Sequence, residues 1–133
     1  MKTIHKPVSR RAFLGFMGAA ALSPAGVWAA SFPVRNLWLV HQKTKEEFRA
    51  AYYHNGFINT DAYAKLCVLL RDTKANKATV MDQSLIDSLF LVQSWLSKND
   101  YHQPIIVNSG YRTEETNRST EGASQKSLHM KGW

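Results

Sequence analysis

The stretch QPIIVNSGYRTEETN, residues 103–117, carries three structural instructions in close succession. Ile105, Ile106 and Val107 are β-branched, which suits a pleated strand packed against neighbours. Pro104 has no N–H to give to a ladder, so it marks the entrance of that strand. Asn108-Ser109-Gly110 supplies turn chemistry at its exit. The run therefore reads as a buried strand that delivers Tyr111 and Arg112 to a sheet edge. Thr113 follows as an N-cap, with Glu114 and Glu115 where the positive end of a helix dipole favours acids, so a short helix begins there.

Upstream, MDQSLIDSLFLVQSWLSK predicts a long helix capped by Asp82. Its Leu85, Ile86, Leu89, Phe90, Leu91, Val92, Trp95 and Leu96 form a broad apolar face, which predicts burial against both another helix and a sheet. An earlier helix is predicted from Asp61, with Thr60 as its cap. Tyr63, Leu66, Cys67 and Leu70 then recur at the i, i+3, i+4, i+7 spacing of one apolar stripe, and the helix ends near Asp72. Nearer the N-terminus, LWLVHQ (37–42) and EEFRAAYY (46–53) flank the polar KTK and read as a β-hairpin, after which Asn55-Gly56 makes a turn. From Glu121 onward no period is long enough to assign. The elements predict an α+β fold: a mixed or antiparallel sheet with helices packed on one side.

The chain has 133 residues and a formal net charge of +7, but the charge is unevenly placed. Residues 1–30 hold Lys2, Lys6, Arg10 and Arg11 and no acid; without these four the 17 basic residues become 13 against 10 acids, a net of +3. So weak a basic surface does not imply a nucleic-acid partner. The basic head and the uncharged run from Ala12 to Val34 have the grammar of an export signal, with small residues for cleavage after Ala29 or Ala30. Arg10-Arg11 followed by AFLG resembles the twin-arginine signature, which would make the twin-arginine translocon a partner and the protein exported, to the periplasm or cell envelope. The competing reading is an uncleaved membrane anchor; Gly15, Gly18, Gly26 and Pro24 weigh against it. The expected organisation is a signal over 1–30 and a domain over 31–133.

Few residues offer chemistry on their own. Cys67, the single cysteine, lies on an apolar helical face and reads as a buried structural thiol. His5 belongs to the signal. His41, His54 and His102 have no partner at ligand spacing and read as ordinary surface or hairpin residues. His129, in SLHMKGW (127–133), stands out only through its neighbourhood.

That neighbourhood is specific. Ser109, Gly110, Tyr111, Arg112 and Asn117, followed by Ser127, His129 and Gly132, resemble the paired motifs of the zinc peptidoglycan peptidase superfamily, in its D-Ala-D-Ala metallopeptidase and murein endopeptidase K-like branch. There a strand ends in Ser-Gly-Tyr-Arg, an Asn follows, and then comes Ser-x-His-x-x-Gly-x-Ala-x-Asp. The twin-arginine signal, the hairpin, LLRD (69–72) and MDQSLIDSL (81–89) resemble the same branch, so the likeness spans most of the domain.

The resemblance implies a hydrolase of wall-peptide amide bonds with Zn2+ as cofactor and peptidoglycan peptides as partners. It implies His129 as a metal ligand, Arg112 as the residue binding substrate and transition state, and Tyr111 and Ser127 at the substrate. Ser109 and Asn117 support the surrounding loop. A guanidinium suits its role because it pairs with carboxylates through two hydrogen bonds or polarises a carbonyl. A salt bridge from Arg112 to Glu114, Glu115 or Asp100 and a capping role for Ser127 are the plain alternatives. The resemblance also puts the second ligand, an Asp, seven residues after His129, at position 136 and past Trp133, with a further His motif later still. One ligand of the three that a catalytic zinc needs does not hold the metal usefully. The chain is therefore expected to be a truncated, inactive form whose fold is incomplete at the C-terminus, leaving strand 105–107 without a neighbour. A non-catalytic periplasmic domain that binds wall peptides and a nonfunctional remnant are the alternatives.

Overall fold

Alternation of apolar and polar side chains organises the first half of the domain. In the computed structural model, which describes residues 33–133, strand β1 (Arg35–His41) buries Leu37, Leu39 and His41 and leaves Asn36, Trp38 and Val40 on the other face. Its antiparallel partner β2 (Glu47–His54) adds Phe48 and Tyr52 to the buried side. The expected export signal lies outside the described residues. The turn between the two strands closes with His41 N–H donating to the Glu46 carbonyl at 2.9 Å and Lys45 N–H to the His41 carbonyl at 2.9 Å.

Asn55 and Gly56 hold φ of 52° and 86°, the left-handed pair that matches the twist of a two-residue hairpin. They do more than turn the chain, because Phe57–Ile58 pairs back on β2 as β3. A fourth strand, β4 (Ile105–Val107), lies parallel to β1, with Leu39 opposite Ile105 and His41 opposite Val107. The sheet is thus mixed, in the order β3-β2-β1-β4, as an α+β fold predicts.

Helices α1 (Thr60–Leu69) and α2 (Gln83–Lys98) cover the buried face. Leu66, Cys67, Leu69 and Leu70 from the first, and Ile86 from the second, meet Leu37, Leu39, Phe48 and Tyr52 in one core. Asp82 caps α2 as expected, its side chain accepting from Ser84 and Leu85 N–H. The cap of α1 is Asn59 rather than Thr60: Asn59 has extended backbone and accepts from Ala62 N–H at 3.1 Å, whereas Thr60 is already helical. That helix also stops at Leu69, short of Asp72, which instead forms an isolated bridge with Lys77.

Three expectations about burial are revised for geometric reasons. The α2 face is much narrower than its composition suggests, with only Ile86 fully buried and Leu91, Val92 and Trp95 exposed. At about 100° per residue these three sit roughly 140 to 240° around the helix from Ile86, on the side turned from β1. Gln93 instead reaches the sheet, its amide accepting from Trp38 N–H at 2.7 Å and donating to the Trp38 carbonyl at 2.9 Å. Strand β4, expected to be buried, is an edge: Val107 is covered but Ile106 is 52% exposed. His41, read as an ordinary surface or hairpin residue, does lie in the hairpin but is buried, and its ring Nδ1 accepts from Thr44 N–H. Burial pushes its pKa down, so the ring favours the neutral form in which that nitrogen can accept.

The charged group that ties α2 to the sheet is Asp87. It accepts from the Tyr52 hydroxyl at 2.7 Å and pairs with Arg35 at 2.7 Å. Tyr52 is wholly buried, so removing its acceptor strands a hydroxyl in the core. Asp87→Ala is expected to lower stability by about 2 kcal/mol, and the double change with Tyr52→Phe by less than the sum of the single ones, as measured by urea unfolding.

Candidate functional site

The site begins where β4 ends, and glycine is what lets it form. A Cβ on Gly110 would stand 2.1 Å from the Leu70 carbonyl oxygen, so no other residue fits without moving backbone. The close approach lets Tyr111 N–H donate to that carbonyl at 2.7 Å. Two residues on, the Asp72 carboxylate accepts from both Thr113 N–H and the Thr113 hydroxyl, each at 2.9 Å. Tyr111 and Thr113 are thus pinned to the segment that follows α1, and Arg112 is held between them.

Asp72 was not singled out from the sequence as a site residue, yet it anchors this corner. It is 2% exposed, and its other oxygen accepts from Lys74 and Ala75 N–H at 2.9 and 3.1 Å. Burial alone would raise its pKa, but hydrogen bonds from Thr116, Thr113 and Ala75 outweigh that and hold it well below the usual carboxylate range. Thr113 in turn caps α3 (Glu114–Arg118), its hydroxyl accepting from Thr116 N–H at 3.2 Å.

Arg112 and His129 meet through the backbone. Arg112 N–H donates to the His129 carbonyl at 2.9 Å. His129 sits in a 3-10 turn, Leu128–Lys131, too short to leave a period in the sequence. Gly132 closes that turn at φ 73°, and its carbonyl accepts from Asp82 N–H at 2.9 Å, tying this segment to the start of α2. The imidazole Nδ1 lies 2.7 Å from the Gly110 carbonyl. Since a carbonyl only accepts, Nδ1 carries the proton, and the Nε2 lone pair is left for a ligand.

The Arg112 guanidinium makes no salt bridge among the described residues. Glu114 pairs with Arg118 instead. One Arg112 Nη donates to Asn117 Oδ1 at 3.4 Å, and the buried Nε has no hydrogen-bond partner. Asn117 also donates to the Ser124 carbonyl at 2.8 Å, so it joins Arg112 to the loop that leads to His129. Ser127 stands at the start of the 3-10 turn, half-buried, and its side chain makes no capping bond. Ser109, Gly110 and His129 share a groove of about 400 Å3 with Ile106, Leu89 and Trp133. Tyr111 is half-buried against the core. Cys67 is buried, burial pushes its thiol pKa up, and its sulfur accepts from Met81 N–H at 3.4 Å.

His129 fits a zinc ligand: its Nδ1 is held on a backbone carbonyl, which orients the ring and directs Nε2 away from that contact. Among the described residues no group of three His, Cys, Asp or Glu side chains converges to hold a metal. The described residues thus fit one donor and not a complete centre.

Comparison with known proteins gives this arrangement its class. A family model described as peptidoglycan L,D-endopeptidase MepK matches residues 29–133. The chain is 32% identical over 121 residues to the peptidoglycan L,D-endopeptidase MepK of Escherichia coli K12, and equally to those of Escherichia coli O157:H7 and Shigella flexneri. The aligned region covers 87% of this chain and 65% of each relative. No solved structure matches. These relatives are named as peptidoglycan endopeptidases, and the matched region takes in the α+β domain with its Ser-Gly-Tyr-Arg and His129 segments. The chain belongs to the peptidoglycan L,D-endopeptidase MepK family.

The Asp72 anchor gives a pH signature. Its folded pKa is depressed, so its contribution is present above the ordinary carboxylate pKa of about 4 and is lost as pH falls through the folded value. Asp72→Asn is expected to cost about 2 to 3 kcal/mol at neutral pH. Its stability should also fall less steeply than that of the parent on acidification below about pH 4, as followed by unfolding at a series of pH values.

Proposed function

We propose that this chain carries the Arg112 and His129 half of a zinc-dependent centre that hydrolyses amide bonds in peptidoglycan peptides. The observation that carries this reading is the pair of contacts joining the two motifs. Arg112 N–H bonds the His129 carbonyl, and His129 Nδ1 bonds the Gly110 carbonyl, leaving Nε2 free. Zinc held there with further ligands would supply a bound water acidic enough to attack a carbonyl near neutral pH. The chain's own residues bind and orient. Arg112, with no carboxylate partner among the described residues and a buried Nε lacking an acceptor there, is ready to take a carboxylate of the wall peptide or the carbonyl to be cut. Asn117 steers the guanidinium, and Ser127, at the start of the turn that carries His129, offers a hydroxyl not spent on capping that turn. Among the described residues His129 is the zinc donor, and the peptide-binding role falls to Arg112.

Purified chain titrated with zinc is expected to bind weakly, and His129→Ala to lose that binding. With cross-linked wall-peptide fragments, Arg112→Ala should weaken binding roughly 10- to 100-fold, the loss of a hydrogen-bonded charge. Arg112→Lys should recover only part of it, because lysine keeps the charge without the planar fork. No bond should be cleaved. Turnover that a chelator and His129→Ala both abolish would replace this reading with that of a complete enzyme.

Export belongs to the same proposal. It rests on the basic head, the Arg10-Arg11 pair and the uncharged run that follows, together with a domain whose only cysteine is buried and unpaired. No helix among the described residues is long and apolar enough to cross a membrane. Residues 1–30 fused to a reporter that is exported only when already folded should carry it out of the cytoplasm, and changing Arg10 and Arg11 to Lys together should stop it.

A further inference from the structure

A second cavity lies away from the His129 groove, at the opposite end of β4. It has a volume of about 520 Å3 and sits between β1, the last turns of α2 and the segment that leads into β4, within the size range of roughly 300 to 1,000 Å3 common for small-ligand sites. Trp38 and Phe90 give it aromatic walls, Gln93, Ser94 and Gln103 give it amides and a hydroxyl, and Arg49 is the one permanently charged residue lining it. Among the described residues no carboxylate lines it.

Its walls are held in place. The Arg49 guanidinium lies 4.2 Å from the Trp38 ring centroid, and the indole N–H donates to Glu47 at 2.6 Å, so the ring is braced on two sides. Gln93 is clamped by its two bonds to the Trp38 backbone. An aromatic wall with planar amides and hydroxyls at the rim suits a ligand that has C–H faces and many hydroxyl and amide groups around its edge. A saccharide has that build. An N-acetylated one adds a carbonyl for Arg49, and an attached carboxylate would pair with it directly.

We infer that this cavity is a saccharide subsite that takes the N-acetylated glycan strand from which the wall peptide hangs. The inference rests on the proposed wall function for the choice of sugar. Position supports it as well. Gln103 enters β4 at the cavity and Ser109 leaves it at the His129 groove. Six residues of extended chain span at most about 20 Å, a separation that a peptide hung on a glycan can bridge.

The test is a titration of the full chain, followed by amide chemical shifts, with a tetramer of N-acetylglucosamine that carries no peptide. Saturable binding is expected, with shifts centred on Trp38, Gln93 and Gln103. Trp38→Ala and, on an exposed segment where folding is not at stake, Gln103→Ala should each weaken it at least about fivefold, a change of about 1 kcal/mol. Trp95→Ala, on the exposed side of α2, should leave it unchanged. Absence of saturable binding up to about 10 mM overturns the inference, as does binding that ignores Gln103→Ala or that Trp95→Ala weakens equally. The readout needs neither zinc nor hydrolysis. A failed saccharide titration beside intact Arg112-dependent peptide binding would therefore remove the subsite alone, and the reverse result would remove only the proposed peptide site.

Discussion

The absence of a side chain at residue 110 is the constraint on which the rest of the site depends. Backbone meets backbone there, with the Leu70 carbonyl closer than any Cβ would allow. Three consequences follow from that one approach. Tyr111 N–H finds an acceptor, the Gly110 carbonyl is turned toward the imidazole, and Arg112 is brought to the His129 backbone. An alanine would disturb all of them together, because the obstructing atom is a carbonyl oxygen fixed by its own chain and not the movable end of a side chain.

The Asp72 carboxylate is the second fastening of the same seam. It accepts from backbone on its own loop and from Thr113, 41 residues away, so one buried charge shapes the turn after α1 and sets the start of α3. Among the described residues Asp72 is held by hydrogen bonds and forms no salt bridge with Arg112. The division of labour is chemically sensible. The structural acid here takes amides and hydroxyls.

Local chemistry in the sequence was a good guide wherever local chemistry decides. Asp82 and Thr113 cap the helices they were expected to cap, Asn55-Gly56 turns the chain, and the β-branched run 105–107 is a strand. Expectations failed where the answer lay in distant packing. Eight apolar residues on α2 could not reveal which stripe would meet β1, and nothing around His41 indicated that the hairpin would be covered. Of the site, the Arg112 and His129 segments were legible through paired motifs, whereas their joining through Gly110 was not. Asp72 was visible only as the last letter of LLRD, since its partners are backbone amides and a threonine far along the chain.

The clamp of Gln93 on Trp38 also bears on how the domain assembles. The β1 and β2 hairpin is local and can form early, but β4 must return to β1 across more than sixty residues, a closure whose entropy slows folding. The glutamine amide satisfies the one residue of β1 that lies just before β4 begins. In doing so it stands in for a strand at that level and marks where the true strand starts. A side chain from a helix thereby occupies the edge of β1 next to a parallel pairing only three residues long.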